Sequence, residues 1–150
     1  ALLGSGIAPA SAGMGAMYAY FNRCDYLYIE QDCLVLGLDK IIRLAQGQSN
    51  IMYGFGKYSY APGWAEHSLC YVPWDLCPMF TNIMTRICST EEPKKLEVEF
   101  HKELEEYFSP WPFGYGRKRP INWSDTALYF QQPTEQELKE YQAEFERRYK

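Results

Sequence analysis

The chain alternates between short apolar runs and longer stretches in which apolar residues recur every three or four positions. The first pattern predicts buried strands and the second amphipathic helices. Residues 11–22 are small and then aromatic, and they predict a helix carrying Ala12, Gly13, Gly15, Ala16 and Ala19. Small residues let a helix lie close against a sheet or a ligand. Ser11 is its candidate N-cap. The preceding residues 4–9 read as a loop, because Gly and Pro punctuate them, and residues 1–3 as the stub of a strand.

Residues 26–29 are aromatic and aliphatic and predict a buried strand, which runs out into Glu30, Gln31 and Asp32. Residues 33–36 are apolar again. A helix is predicted over 38–46, with Ile41, Ile42 and Ala45 as its stripe and Gly47 as its stop. Residues 51–53 predict a short strand, 54–63 a loop rich in Gly and Tyr, and 67–72 a further strand. Asp75 is expected to cap a helix reaching about Cys88, with Leu76, Phe80, Ile83 and Ile87 inward. Residues 94–108 predict another helix, with Leu96, Phe100, Leu104 and Phe108 as its stripe. Residues 110–122 read as irregular. Thr134-Glu135-Gln136-Glu137 is a capping box that opens a last helix with the stripe Leu138, Tyr141, Phe145 and Tyr149.

No repeat and no linker divides the chain, so residues 1–150 are expected to form one domain. Strands alternating with helices predict the α/β class, with a mainly parallel sheet flanked by helices. Ligands of such sheets bind beyond the carboxyl ends of the strands, where Glu30 and Asp32 are expected to lie.

Composition narrows the function classes. Apolar residues make up 47% and charged residues 23%, ordinary for a globular chain. A net charge of −4 argues against a nucleic-acid partner, which a basic surface would attract. The aromatic share of 17% suits sugar rings, protein interfaces and ordinary cores alike. The cysteines are Cys24, Cys33, Cys70, Cys77 and Cys88, an odd number without a Cys-x-x-Cys pair. Neither a zinc site nor a disulfide framework is expected, and reduced thiols in a cytoplasmic protein are. No apolar run reaches the roughly 18 residues that a transmembrane segment needs. The chain begins inside an apolar segment without Met, and is expected to be a fragment whose upstream residues supply neighbouring strands.

Two acids leaving a strand at i and i+2 share one side of the sheet. Glu30 and Asp32 so placed would hold a hard divalent cation, Mn or Mg, that accepts oxygen ligands and substrate phosphates. The alternative is that they open a solvated turn.

The run from Ala12 through Cys24 into Asp25-Tyr26-Leu27-Tyr28-Ile29-Glu30-Gln31-Asp32-Cys33-Leu34-Val35 resembles the central part of GT-A-fold glycosyltransferases. In that superfamily a small-residue helix precedes a buried strand ending in Asp-x-Asp, and here Glu30 replaces the first Asp. The resemblance covers about the first third of the chain. It implies a GT-A-like, Rossmann-related sheet lacking its N-terminal nucleotide-binding half, and a nucleotide-sugar donor with a glycan or other hydroxyl acceptor. It also implies that Asp32 ligates the metal, while Glu30 contacts the ribose or the metal through water. The acceptor site of such enzymes follows the metal motif, which brings in Tyr58, Tyr60, Trp64 and Glu66. Trp64 is suited to stack on a sugar, and Glu66 to accept a proton from the attacking hydroxyl. Asp75 is a second candidate base.

Phe113-Gly114-Tyr115-Gly116-Arg117-Lys118-Arg119-Pro120 joins glycines, which let backbone approach a ligand, to a basic run. Arg117 and Lys118 are expected to steady a diphosphate, or else to form a solvated basic turn or to pair with the acidic helix at 97–106. His101 is expected to face solvent, and His67 is left unassigned. Two rival readings remain. One is an NAD-type dinucleotide-binding Rossmann domain, with Gly4, Gly6 and Glu30 as its fingerprint and Pro9 at the third glycine position. The other is a non-catalytic, transferase-like interaction module.

Overall fold

The computed structural model describes residues 7–57, 62–89, 96–113, 119–124 and 129–150. The chain runs through α1 (Ile7–Phe21), β1 (Tyr26–Ile29), β2 (Cys33–Val35), α2 (Leu38–Ala45), β3 (Ile51–Lys57) and β4 (Pro62–Val72). It continues with α3 (Cys77–Cys88), α4 (Leu96–Leu104), β5 (Phe108–Pro110), β6 (Tyr129–Gln131) and α5 (Glu135–Tyr149). Short 3-10 turns stand at Trp74–Leu76 and Glu105–Tyr107.

Four strands form a sheet in the order β1-β4-β3-β5, and β2 pairs with β6 separately. Strand β4 runs antiparallel to both β1 and β3, β2 runs antiparallel to β6, and β3 is parallel to β5. The expected mainly parallel, GT-A-like and Rossmann-related sheet is therefore corrected to a mixed sheet with mostly antiparallel neighbours. The reason lies in residues 54–57 and 62–63, which the glycines and tyrosines marked as loop. They extend β3 and β4 into two long adjacent strands that need no helical crossover. Irregular register between Met52 and Gly54, and again between Gly56 and Lys57, accommodates the glycines. Gly56 stands opposite Trp64, and Gly54 opposite Glu66. The antiparallel β1–β4 pair also gives a Rossmann unit no parallel strand beside β1.

The strand period of two sorts side chains onto two faces. On one face Tyr26, Tyr28, Ile51, Tyr53, Cys70 and Val72 meet α1, α3 and α4 through Ala12, Ala16, Ala19, Phe80, Met84 and Phe100. On the other, Leu27, Ile29, Met52, Leu69 and Tyr71 meet α2 through Ile41 and Ala45, and also meet Trp111, Tyr129, Cys33 and Val35. The β2–β6 pair is thus part of the second layer. Trp111 is 2% exposed and its Nε1 donates to the Leu69 carbonyl at 2.9 Å, so its one polar atom is satisfied.

Several local expectations change. Helix α1 begins at Ile7, so Ser11 lies inside it. Pro9 is tolerated in the first turn, where backbone N–H groups have no helical acceptor. The small residues of α1 do bring it close: Gly15 faces Tyr26, and Thr81 Oγ1 donates to the Gly13 carbonyl at 2.9 Å. Asp75 sits in the 3-10 turn and does not cap α3, whose N-cap residue is Leu76. Helix α4 ends at Leu104, and Phe108 belongs to β5, packed on Tyr53 with ring centroids 4.2 Å apart. His101 is half-buried beside Phe108 rather than solvent-facing. The capping box at Thr134 is present on both sides. The stripe of α5 is only partly inward: Leu138, Phe145 and Tyr149 are exposed, while Tyr141 is half-buried and donates through its hydroxyl to Val35 O.

A candidate functional site at the end of β1

Strand β1 stops at Ile29. The Glu30 N–H continues the ladder by donating to Ser68 O at 2.9 Å, and Cys33 N–H closes a turn on Glu30 O at 3.0 Å. Gln31 and Asp32 are the tip of that turn. The two acids therefore stand on a turn that joins β1 to β2, rather than along a pleated strand as their spacing predicts. Both residues are half-buried.

Across this turn lies β6. Its last residue, Gln131, pairs with Cys33 and is 4% exposed. Gln131 Nε2 donates to Glu30 Oε2 at 2.6 Å, a charge-assisted bond of the shorter kind. Gln132 N–H donates to Asp32 O at 3.2 Å, with Gln132 at a φ of 50°. Tyr28 shares the corner. Burial raises its phenol above the ordinary range, and the charge of Glu30 adds to this, with a smaller part from Asp32. Ser68, on the strand beside Glu30, is fully buried, and its Oγ has no hydrogen-bond partner among the described residues.

A third segment converges here. Arg119 Nη2 donates to the Gln131 carbonyl at 2.9 Å, its Nε pairs with Glu137 at 2.5 Å, and its guanidinium lies 5.6 Å from the Phe130 ring centre. Arg119 is the first described residue after Arg117 and Lys118, which, like Tyr58 and Tyr60, lie outside the described residues. So do Gly4 and Gly6. Trp64 and Glu66 are described by their backbone alone. Both are on β4, and Glu66 stands two positions before Ser68, the backbone partner of Glu30. Asp75 follows Val72, which pairs with Tyr26 at the opposite end of β1, so it is removed from this corner.

Among the described residues no group of three His, Cys, Asp or Glu side chains is placed to hold a metal ion. The corner thus provides no all-protein cage. Its turn carries two acidic residues, of which Glu30 is bonded to Gln131; Mg is commonly held by one or two acids together with substrate phosphates. Gln131 and Ser68 escaped the sequence reading, and Arg119 entered it only as the end of the basic run. The apolar pair Tyr129-Phe130 ahead of Gln131 was the available strand signal, but three residues give no measurable period.

No family model, curated protein or solved structure matches the chain. No helix among the described residues is long and apolar enough to cross a membrane.

Proposed function

We propose that this domain transfers a sugar from a nucleotide-sugar donor to a hydroxyl acceptor at the corner formed by Glu30, Asp32 and Gln131. One observation carries the reading. The Glu30 backbone is bonded to Ser68, on the strand that also carries Trp64 and Glu66, and Gln131 links the Glu30 carboxylate to Arg119 at the end of the basic run, although these segments are far apart in sequence. Asp32 and Glu30 are the residues to hold Mn or Mg as it arrives with the diphosphate. The ion, when bound, would stabilise the charge of the departing group. Glu66 is the base for the attacking hydroxyl, Trp64 and Tyr60 the acceptor contacts, and Arg117 and Lys118 the diphosphate contacts. This role for the acids does not depend on a parallel sheet; it depends on their being half-exposed at one strand end.

Thermal unfolding tests it. A nucleoside diphosphate with Mn at about 100 times its dissociation constant adds roughly 2.7 kcal/mol, which raises the Tm of a chain this long by about 5–10 °C. The shift is expected to disappear in Asp32→Ala. An unchanged Tm with either Mn or Mg, or an undiminished shift in Asp32→Ala, overturns the reading. Stabilisation by NAD without metal would favour the dinucleotide-binding alternative instead.

A further inference from the structure

Helix α1 carries no charged residue, in contrast to every other described helix. Its small residues Ala12, Ala16 and Ala19 are buried against the sheet and α3. Three large ones point the other way: Met14, Tyr18 and Phe21 are 75%, 74% and 76% exposed, whereas Tyr20 packs on the core. A helix apolar on all sides is ordinarily covered on all sides. The exposed residues are also regularly spaced. Ser11, Met14, Tyr18 and Phe21 recur alternately three and four residues apart, the spacing of a seam that packs against another helix.

We infer that this seam is a self-association surface, occupied by α1 of a second copy of the chain in a two-fold contact. Three arguments select that occupant. Each copy has a net charge of −4, and two like-charged molecules meet at least cost where neither carries charge. The area is of the right order: large aromatic side chains bury about 150–250 Å² each, so a stripe of three large residues covers roughly 900 Å² over two copies, close to the roughly 1,000 Å² at which specific interfaces begin. A lipid surface is a poorer match, because the helix has none of the Lys and Arg that accompany membrane-lying helices. The contact is independent of the acids at the end of β1, so it stands or falls apart from the proposed transfer activity.

Sedimentation equilibrium on the whole chain across micromolar concentrations tests this. A monomer–dimer equilibrium is expected that added salt does not weaken, because no opposite charges are paired and the like net charges are screened. Tyr18→Glu should weaken it at least about tenfold, since a carboxylate would be buried without a partner. Leu138→Glu on α5, also at an exposed apolar position, should leave it unchanged. A monomer at every concentration overturns the inference, as does a dimer indifferent to Tyr18→Glu or equally weakened by Leu138→Glu. Burial of Tyr18 by another segment of a longer chain, seen as protection from chemical modification without dimerisation, overturns it as well.

Discussion

Gln131 and Glu30 are 101 positions apart in the chain, and the Gln131 amide donates to the Glu30 carboxylate at 2.6 Å. This bond ties β6 to the turn that follows β1. It sits where the candidate acids, the buried Ser68 and the Arg119 contact to the Gln131 carbonyl all meet.

Gln131→Leu is expected to destabilise the fold by about 2 kcal/mol, because it removes a charge-assisted hydrogen bond from a half-buried carboxylate. Urea unfolding measures this as a lower midpoint at constant slope. Gln131→Glu should be worse at neutral pH, since it sets two carboxylates against each other. It should recover part of the loss as pH falls and one of the pair takes up a proton. A Gln131→Glu variant whose deficit stays constant between neutral and mildly acidic pH would show that the two side chains do not share this bond.

Gly15→Ala and Gly13→Ala are expected to differ in sign. Both gain up to about 1 kcal/mol of helix propensity. A methyl group at Gly15 would lie 2.7 and 2.9 Å from the Tyr26 ring carbons Cζ and Cε2, closer than packing allows. Tyr26 is held between Tyr28 and Phe80, so the strain costs about 1–3 kcal/mol and exceeds the gain. At Gly13 the nearest atom is Thr81 Cγ2 at 3.5 Å, an ordinary contact, so Gly13→Ala should be neutral or stabilising. Paired Tm measurements decide.

Alkaline pH should unfold the chain before its buried tyrosines ionise freely. Burial raises the phenols of Tyr26, Tyr28, Tyr53, Tyr71 and Tyr141. The hydrogen bond from Tyr71 to Asp25 at 2.7 Å adds to the effect there. Burial also pushes the Cys77 thiol up to about 12, with a further part from the charge of Asp25. Each group binds its proton more tightly folded than unfolded. Its contribution is therefore complete below the unfolded value, about 10 for Tyr, and is lost as pH rises through the folded one. Absorbance at the phenolate band should rise in two stages, the second coinciding with loss of circular dichroism. A single non-cooperative rise would contradict this.

Thr134→Ala should cost about 1 kcal/mol, because Thr134 Oγ1 accepts from Glu137 N at 3.2 Å at the start of α5. Glu137 completes the box by accepting from Thr134 N at 2.8 Å. That bond, and then Arg119, hold its carboxyl below the usual range. The sign is opposite to that of the tyrosines. The contribution is present above the unfolded glutamate value and is lost as pH falls through the lowered one. Fraying of α5 on acidification should be reduced in Glu137→Gln, which keeps a capping side chain but has no carboxylate to protonate. Site-resolved amide exchange at residues 135–138 reads both effects.

The sequence was most legible where chemistry is local. Strand β1 coincides with its apolar run at residues 26–29. Helix α2 spans Leu38–Ala45 with Gly47 beyond it at a φ of 79°, a conformation that Gly adopts without strain. The box at Thr134 was visible in four residues. Phe80 and Phe100 were correctly placed on inward stripes. Glu30 and Asp32 were readable as a pair of acids at a strand end, though not as parts of a turn.

Tertiary structure decided the rest, for reasons of pairing and coverage. Period-two alternation says that a segment is a strand but is the same for either direction of its neighbour, so β1 and β4 could be assigned while their antiparallel relation could not. Gly54 and Gly56 punctuate the sequence as a loop, yet cross-strand bonding to β4 holds them extended. Phe108 follows the period of α4, but the ladder to Ile51 claims it for β5. Gln131 acquires its partner only when β6 closes on β2, because a side-chain hydrogen bond spanning 101 residues leaves no trace in local spacing. Local order was written in each segment's own period and caps. The direction, the neighbours and the composition of the corner at Glu30 were fixed by which segments found hydrogen-bonding and apolar partners in the folded chain.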